Sequence, residues 1–204
     1  VIALRPARST DAGKLGEMIT RAVAAHDWKP VLHTGAEDIA HAGRLIDRGW
    51  VTVAVDADDR VAGFLAREGG YIHALFVAPQ AQGKGAGTAL IAQAKRDCDR
   101  LELWTFQANR GARRFYEREG FAEAERSDGA RNEEGLPDIR FTWAAGQDAV
   151  RDTAPGEAGA GNAAAGPDAA PSDPAGDPAD RAPTPAASSA TAPSGPAGAT
   201  ETPE

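Results

Sequence analysis

The sequence predicts an α/β fold in which helices layer on one mixed sheet. Helix-period and strand-period runs alternate over the first 143 residues, three strand-like runs follow one another across tight turns, and a glycine-rich stretch joins a strand to a helix. Beyond Trp143 these patterns stop.

The elements follow in order. Residues 2–5 form a short apolar run ended by Pro6. Ser9 and Thr10 then precede Leu15, Met18, Ile19, Ala22 and Val23, whose spacing is helical. Thr34 with Glu37 three residues on is a capping-box signature for a second helix that presents Ile39, Ala42, Leu45 and Ile46 and ends at Gly49. Residues 50–55 and 61–67 flank the acidic turn 56–59 as a hairpin, and residues 71–77 add a third antiparallel strand. A helix opens at residues 83–87 and runs to about Cys98; a strand at 101–106 and a helix at 112–119, closed by Gly120, come next. Residues 121–126 and 138–143 are the last two strands, joined by a polar excursion through Ser127, Asp128, Gly129, Asn132 and Glu133. Trp50, Trp104 and Trp143 lie in or beside strands as packing residues.

The expected organisation is a folded domain over residues 1–145 and a disordered acidic tail over 146–204. From Ala144 onward there is no aromatic residue, Val150 is the single large aliphatic one, and ten of the fourteen prolines occur there. Such a segment buries too little apolar surface to offset its ordering entropy, and its prolines break any long helix. Its nine acids against two arginines hold seven of the eight net negative charges, so the domain itself is near neutral. No polybasic run points to nucleic acid or an anionic membrane. No apolar stretch approaches the roughly 18 residues of a membrane span, and no leader pattern opens the chain. A cytoplasmic protein acting on a soluble small molecule or protein is the expectation. A lone cysteine, Cys98, and four scattered histidines give no disulfide and no metal spacing.

The segment richest in chemistry runs from Val77 to Thr88, where Gln82, Gly83, Lys84, Gly85, Ala86 and Gly87 stand between a strand and an apolar helix. Glycines let backbone approach a ligand, and free N–H groups at a helix N-terminus favour a pyrophosphate. Lys84 adds a charge at the rim. The strict alternation of Gly83, Gly85 and Gly87 fits neither a Walker loop nor a dinucleotide fingerprint. A plain tight turn is the alternative reading.

Gln82, Gly85 and Gly87 in this spacing resemble the acetyl-CoA loop of the Gcn5-related N-acetyltransferase (GNAT) family, Gln/Arg-x-x-Gly-x-Gly/Ala. The preceding Ala74, Leu75, Phe76, Val77, Ala78 and Pro79 resemble its fourth strand. Asn109, Ala112, Phe115, Tyr116, Gly120 and Phe121 resemble its fifth-strand exit and next helix. The resemblance spans most of residues 2–143. It implies α-β-α layers around one mixed, mostly antiparallel sheet of six to seven strands, with acetyl-CoA as cosubstrate. Leu75, Phe76 and Val77 would then pair with the pantetheine arm; residues 82–88, with Thr88 closing the loop, would hold the phosphates; Asn109, Ala112 and Phe115 would complete the cofactor contacts.

In such an enzyme an amine attacks the thioester carbonyl directly in a ternary complex and the departing thiolate takes a proton. The resemblance makes Tyr116 the general acid; the alternative is a ring packed beside Phe115. An ammonium, with a pKa of about 10.4, must lose a proton first. His73, in the fourth strand and titrating in the useful range, is the first candidate base, with a structural histidine and a water chain as alternatives. Val77 or a neighbour would offer its backbone N–H to the oxyanion. Trp28, His33 and Tyr71 are candidates for the acceptor wall or for packing. The expected acceptor is a small-molecule amine; a protein N-terminus or lysine, and a silent acetyl-CoA-binding module, are the alternatives. Homodimers are common in the family, but no sequence feature marks an interface.

Overall fold

The computed structural model describes residues 1–146; the tail expected over 146–204 lies, from residue 147 on, outside the described residues. Seven strands form one sheet: β1 (Ala3–Pro6), β2 (Val51–Val55), β3 (Val61–Glu68), β4 (Tyr71–Val77), β5 (Arg100–Phe106), β6 (Ala122–Arg126) and β7 (Asp138–Ala144), in the order β1-β2-β3-β4-β5-β7-β6. All neighbouring strands are antiparallel except β4 and β5. The chain order of elements matches the sequence expectation. The insertion of β7 between β5 and β6 was not legible, because pairing partners carry no local signature.

Four helices flank the sheet: α1 (Ala12–Ala24), α2 (Gly35–Asp47), α3 (Ala86–Asp97) and α4 (Arg110–Arg118). The α1 helix buries Leu15, Met18 and Ile19, and α2 buries Ala42 and Leu45. The capping box at Thr34 forms as expected: its side chain accepts from Glu37 N, and the Glu37 carboxylate accepts from Thr34 N at 2.7 Å. Ile39 departs from the expected inward face, being 42 % exposed. Buried Asp38 turns inward instead, accepting from Thr20 Oγ1 at 2.5 Å, and Gly16 leaves room for the Ile39 backbone at the helix crossing. A Cβ on Gly16 would stand 2.6 Å from Ile39 Cα.

The α3 and α4 helices are joined by Thr88 Oγ1 donating to Glu119 Oε1 at 2.7 Å and by Lys95 donating to the Glu119 carbonyl. Beneath them Leu90, Ile91, Phe115, Tyr116 and Phe121 enter a core continuous with the sheet. At the other edge Arg5 grips Asp11 through two hydrogen bonds, at 2.8 and 3.1 Å, and holds its carboxyl below the usual range.

Candidate active site

The cleft starts where two parallel strands part. The β4–β5 register consists of Tyr71 opposite Glu102, with Glu102 N donating to the Gly70 carbonyl. Gly70 makes this end tight: a Cβ there would lie 2.6 Å from the Arg100 carbonyl oxygen. No further β4–β5 pairing follows among the described residues. On the other side of β4, Ala78 N donates to the Ala62 carbonyl, and Val77 faces Gly63. Hydrogen-bonded and non-hydrogen-bonded pairs alternate along an antiparallel ladder, so the Val77 N–H points away from β3, into the gap before β5. A cavity of about 530 Å³ opens there, with Phe76, Val77 and Ala78 on one wall and Met18 and Ala22 of α1 on another.

The glycine-rich stretch leads from β4 into α3. Gly83 has φ +71° and Gly85, at the N-cap of α3, has φ +86°, a region that side chains other than glycine's enter at a cost. An added Cβ would meet nothing within 4 Å at either position, so space above them is open. The first-turn N–H groups of α3 have no carbonyl to bond inside the helix. Gln82 lines the cavity and Lys84 is exposed beside it, whereas Ala86 and Gly87 are buried and the Thr88 hydroxyl is engaged by Glu119.

Cationic side chains surround this space. Lys14 and Arg21 reach it from α1, each paired with Glu17, at 2.9 and 2.7 Å. Arg110 and Arg114 reach it from α4, while no carboxylate lines it among the described residues. The arrangement can hold an anionic, elongated ligand over the β4–β5 gap.

The structure brings Phe76, Val77, Gln82 and Asn109 together at the cavity, and Trp28 with them. Asn109 also caps α4, its Oδ1 accepting from Ala112 N at 2.9 Å. Leu75, Ala112 and Phe115 are buried beneath rather than in the lining, and Tyr116 is fully buried with Phe115, Phe121 and Phe141 around its ring.

His73 is not brought to the cavity. It lies four residues before Val77, which at about 3.3 Å per residue is roughly 13 Å along the strand. Its ring stacks on Trp50 at 4.7 Å, meets Tyr71 at 4.8 Å, and Nε2 lies 3.8 Å from Glu68 Oε2. The β3–β4 register slips between Arg67, facing Ile72, and Ala66, facing Ala74, so His73 is the extra residue of a bulge. This interrupts the simple alternation expected for Tyr71, His73 and Leu75, and corrects the placement of both His73 and Tyr71. His33 also points elsewhere, to Glu133 at 3.2 Å. Sequence reasoning missed His26, Lys14, Arg21, Arg110 and Arg114. The two arginines, one and five residues after Asn109 on the following helix, were the ones open to discovery.

A family model described as the acetyltransferase (GNAT) domain matches residues 31–144. The chain belongs to the GNAT acetyltransferase family. Among its relatives, an uncharacterized N-acetyltransferase of Methanocaldococcus jannaschii is 47 % identical over 64 residues, covering 29 % of this chain and 28 % of the relative. The Escherichia coli peptidyl-lysine N-acetyltransferase YjaB is 29 % identical over 130 residues, covering 63 % of this chain and 87 % of its own length. The solution structure of apo YjaB matches with a TM-score of 0.56 and 26 % identity, over 70 % of this chain and 97 % of YjaB. The GNAT fold is shared with Salmonella typhimurium yncA, solved with its cofactor acetyl-CoA, at a TM-score of 0.55 and 18 % identity, over 72 % of this chain and 95 % of that one.

Proposed function

We propose that the protein is an acetyl-CoA-dependent N-acetyltransferase that acetylates a primary amine by direct attack within a ternary complex. The observation that carries this reading is the opening between β4 and β5, with the Val77 N–H directed into it and the glycine-capped start of α3 beside it. That yncA was solved with acetyl-CoA supports the same ligand here. Pyrophosphate would sit on the N–H groups of residues 83–88, the pantetheine arm along residues 75–77, and Asn109 beside it. Arg110 and Arg114 supply countercharge.

The amine must lose a proton before its nitrogen can bond to the acetyl carbon. With His73 about four strand residues away, we assign this proton to water in the cavity. The carbonyl oxygen gathers charge that the Val77 N–H stabilises, the carbon–sulfur bond breaks, and Tyr116 protonates the thiolate from below. The cavity lining does not include Tyr116, so this role requires the sulfur to reach the floor of the gap.

A small-molecule acceptor is in keeping with a partly open cavity of about 530 Å³. The likeness to YjaB, a peptidyl-lysine N-acetyltransferase, favours a protein lysine as the second reading. Thiol release from acetyl-CoA, measured with free amines and with a lysine peptide, separates them: the first reading expects turnover with free amines, and turnover with the peptide alone contradicts it.

A further inference from the structure

A water that takes the ammonium proton must pass it on, and few groups in the cavity can receive it. The titratable side chains in the lining are Lys14, Arg21, His26, Arg110 and Arg114. Lysine and arginine side chains are donors at neutral pH, whereas histidine titrates in the range where it can accept. The amides of Gln80, Gln82 and Asn109, also in the lining, have no basic nitrogen. No carboxylate lines the cavity among the described residues, so an aspartate or glutamate does not take this part there.

His26 is positioned by the turn that ends α1. Its backbone N–H donates to the Val23 carbonyl at 3.3 Å, and its own carbonyl accepts from Lys29 N at 3.0 Å. The imidazole is half-buried and stacks on Trp28, with ring centres 5.0 Å apart and planes 29° from parallel. Trp28 in turn meets Phe106 edge-on at 5.6 Å, and the Lys29 ammonium lies 5.3 Å from the centre of the same ring. Trp28 and Lys29 thus pin the turn to the end of β5, which closes with Phe106.

The sheet sets where this turn stands. Tyr71 of β4 lies opposite Glu102 of β5, and the two strands run parallel. Four residues on, at about 3.3 Å each, Leu75 and Phe106 come level, and two further on Val77 and Ala108 do. Val77 and Ala108 both line the cavity, as do Trp28 and His26. The histidine therefore belongs to the β5 side of the gap into which the Val77 N–H points from the β4 side. The charged groups that share the cavity with it are Lys14 and Arg21 from α1 and Arg110 and Arg114 from α4, while Asp27, next in the chain, is exposed and outside the lining.

We propose that His26 is the proton acceptor of the acetyl transfer, taking the ammonium proton through one water. This deepens the N-acetyltransferase reading and rests on it. The ammonium gives up a proton to the imidazole, and the freed lone pair bonds to the acetyl carbon. The carbon–sulfur bond breaks, its electron pair leaves on sulfur, and Tyr116 protonates the thiolate. The nitrogen's second proton restores the Tyr116 phenol through water, and His26 releases its proton to solvent, so one proton leaves per turnover.

The test compares the full wild-type chain with two variants: His26→Phe, which keeps a ring against Trp28 but removes the accepting nitrogens, and His26→Ala. Thiol release from acetyl-CoA is followed with phenethylamine, L-phenylalanine and a lysine peptide as acceptors. His26→Phe should lower kcat about 100-fold at neutral pH, with the Kd for acetyl-CoA unchanged in calorimetry. Its kcat/KM should then climb about tenfold per pH unit towards the pKa of the amine, because the amine must arrive already deprotonated. The wild type should instead level off as the His26 imidazole becomes neutral, a titration followed by NMR through resonances absent from His26→Phe. Added imidazole should raise the activity of His26→Ala at least tenfold. A ring that only packs on Trp28 gives the opposite pattern, with His26→Phe as active as the wild type and imidazole without effect. Either of those results, or a wild-type plateau that does not follow the His26 titration, would overturn the proposal. Should His26→Phe fail to fold, imidazole rescue of His26→Ala decides. Wild-type protein that releases no thiol with any of the three amines defeats the transferase reading and the base together; release that persists undiminished in His26→Phe defeats the base alone.

Discussion

Tyr116 acts, on this account, only on charge that develops as the carbon–sulfur bond breaks. Tyr116→Phe is therefore expected to lower kcat about 100-fold while leaving the Kd for acetyl-CoA unchanged, as rapid-mixing kinetics and calorimetry would measure. An undiminished kcat would remove the acid role. Glu134 makes a prediction of the opposite kind, about stability. Burial raises its carboxyl above the usual range, so the native state holds the proton more tightly than the unfolded chain. The stability this adds is fully present below the ordinary carboxylate pKa and is lost as pH rises through the raised value. Glu134→Gln should match the wild type in Tm at acid pH and exceed it at neutral pH; a lower Tm at neutral pH would contradict the burial argument. Motif spacing from Asn109 singled out Tyr116, which the fold buries beneath the cavity rather than in its lining. It could not place His73, because residue type and strand alternation do not say which end of β4 carries the site, and the bulge is invisible in a single sequence. Glu134 lay outside its reach for a related reason: burial arises from the fold of a loop that reads as polar linker.

The turn into α3 and the crossing of α1 and α2 are where whole elements depend on a missing side chain. Gly85→Ala puts a Cβ on a residue at φ +86°, a strain of about 1–2 kcal/mol, and narrows the approach to the first N–H groups of α3. Acetyl-CoA affinity should fall with little change in α-helical circular dichroism, and equal affinity would argue against a phosphate at this turn. At Gly16 the obstruction is backbone, Ile39 Cα at 2.6 Å, so α1 and α2 must separate in Gly16→Ala. Chemical denaturation should register a loss of about 1–3 kcal/mol. Helix periodicity, the capping box at Thr34 and the turn glycines made the elements readable, since each of those signals is local. The exposure of Ile39 was not readable, because Asp38 takes the inward position through a hydrogen bond to Thr20 from another helix.

Across the whole molecule, folding and cofactor binding are expected to reside in residues 1–146. The composition of 147–204 predicts that its removal leaves Tm and acetyl-CoA affinity unchanged. A large loss of either would move the domain boundary. The layered architecture was legible because a strand order of three adjacent antiparallel runs, then helix and strand in alternation, permits few topologies. The position of β7 between β5 and β6 was not, because pairing partners carry no local signature. The central claim is that this cleft binds acetyl-CoA and passes its acetyl group to an amine. Its most direct test is calorimetric titration of the purified full chain with acetyl-CoA, followed by thiol release against a panel of amines including L-phenylalanine and a lysine peptide. The account predicts binding together with amine-dependent release; folded protein that does not bind acetyl-CoA would contradict it.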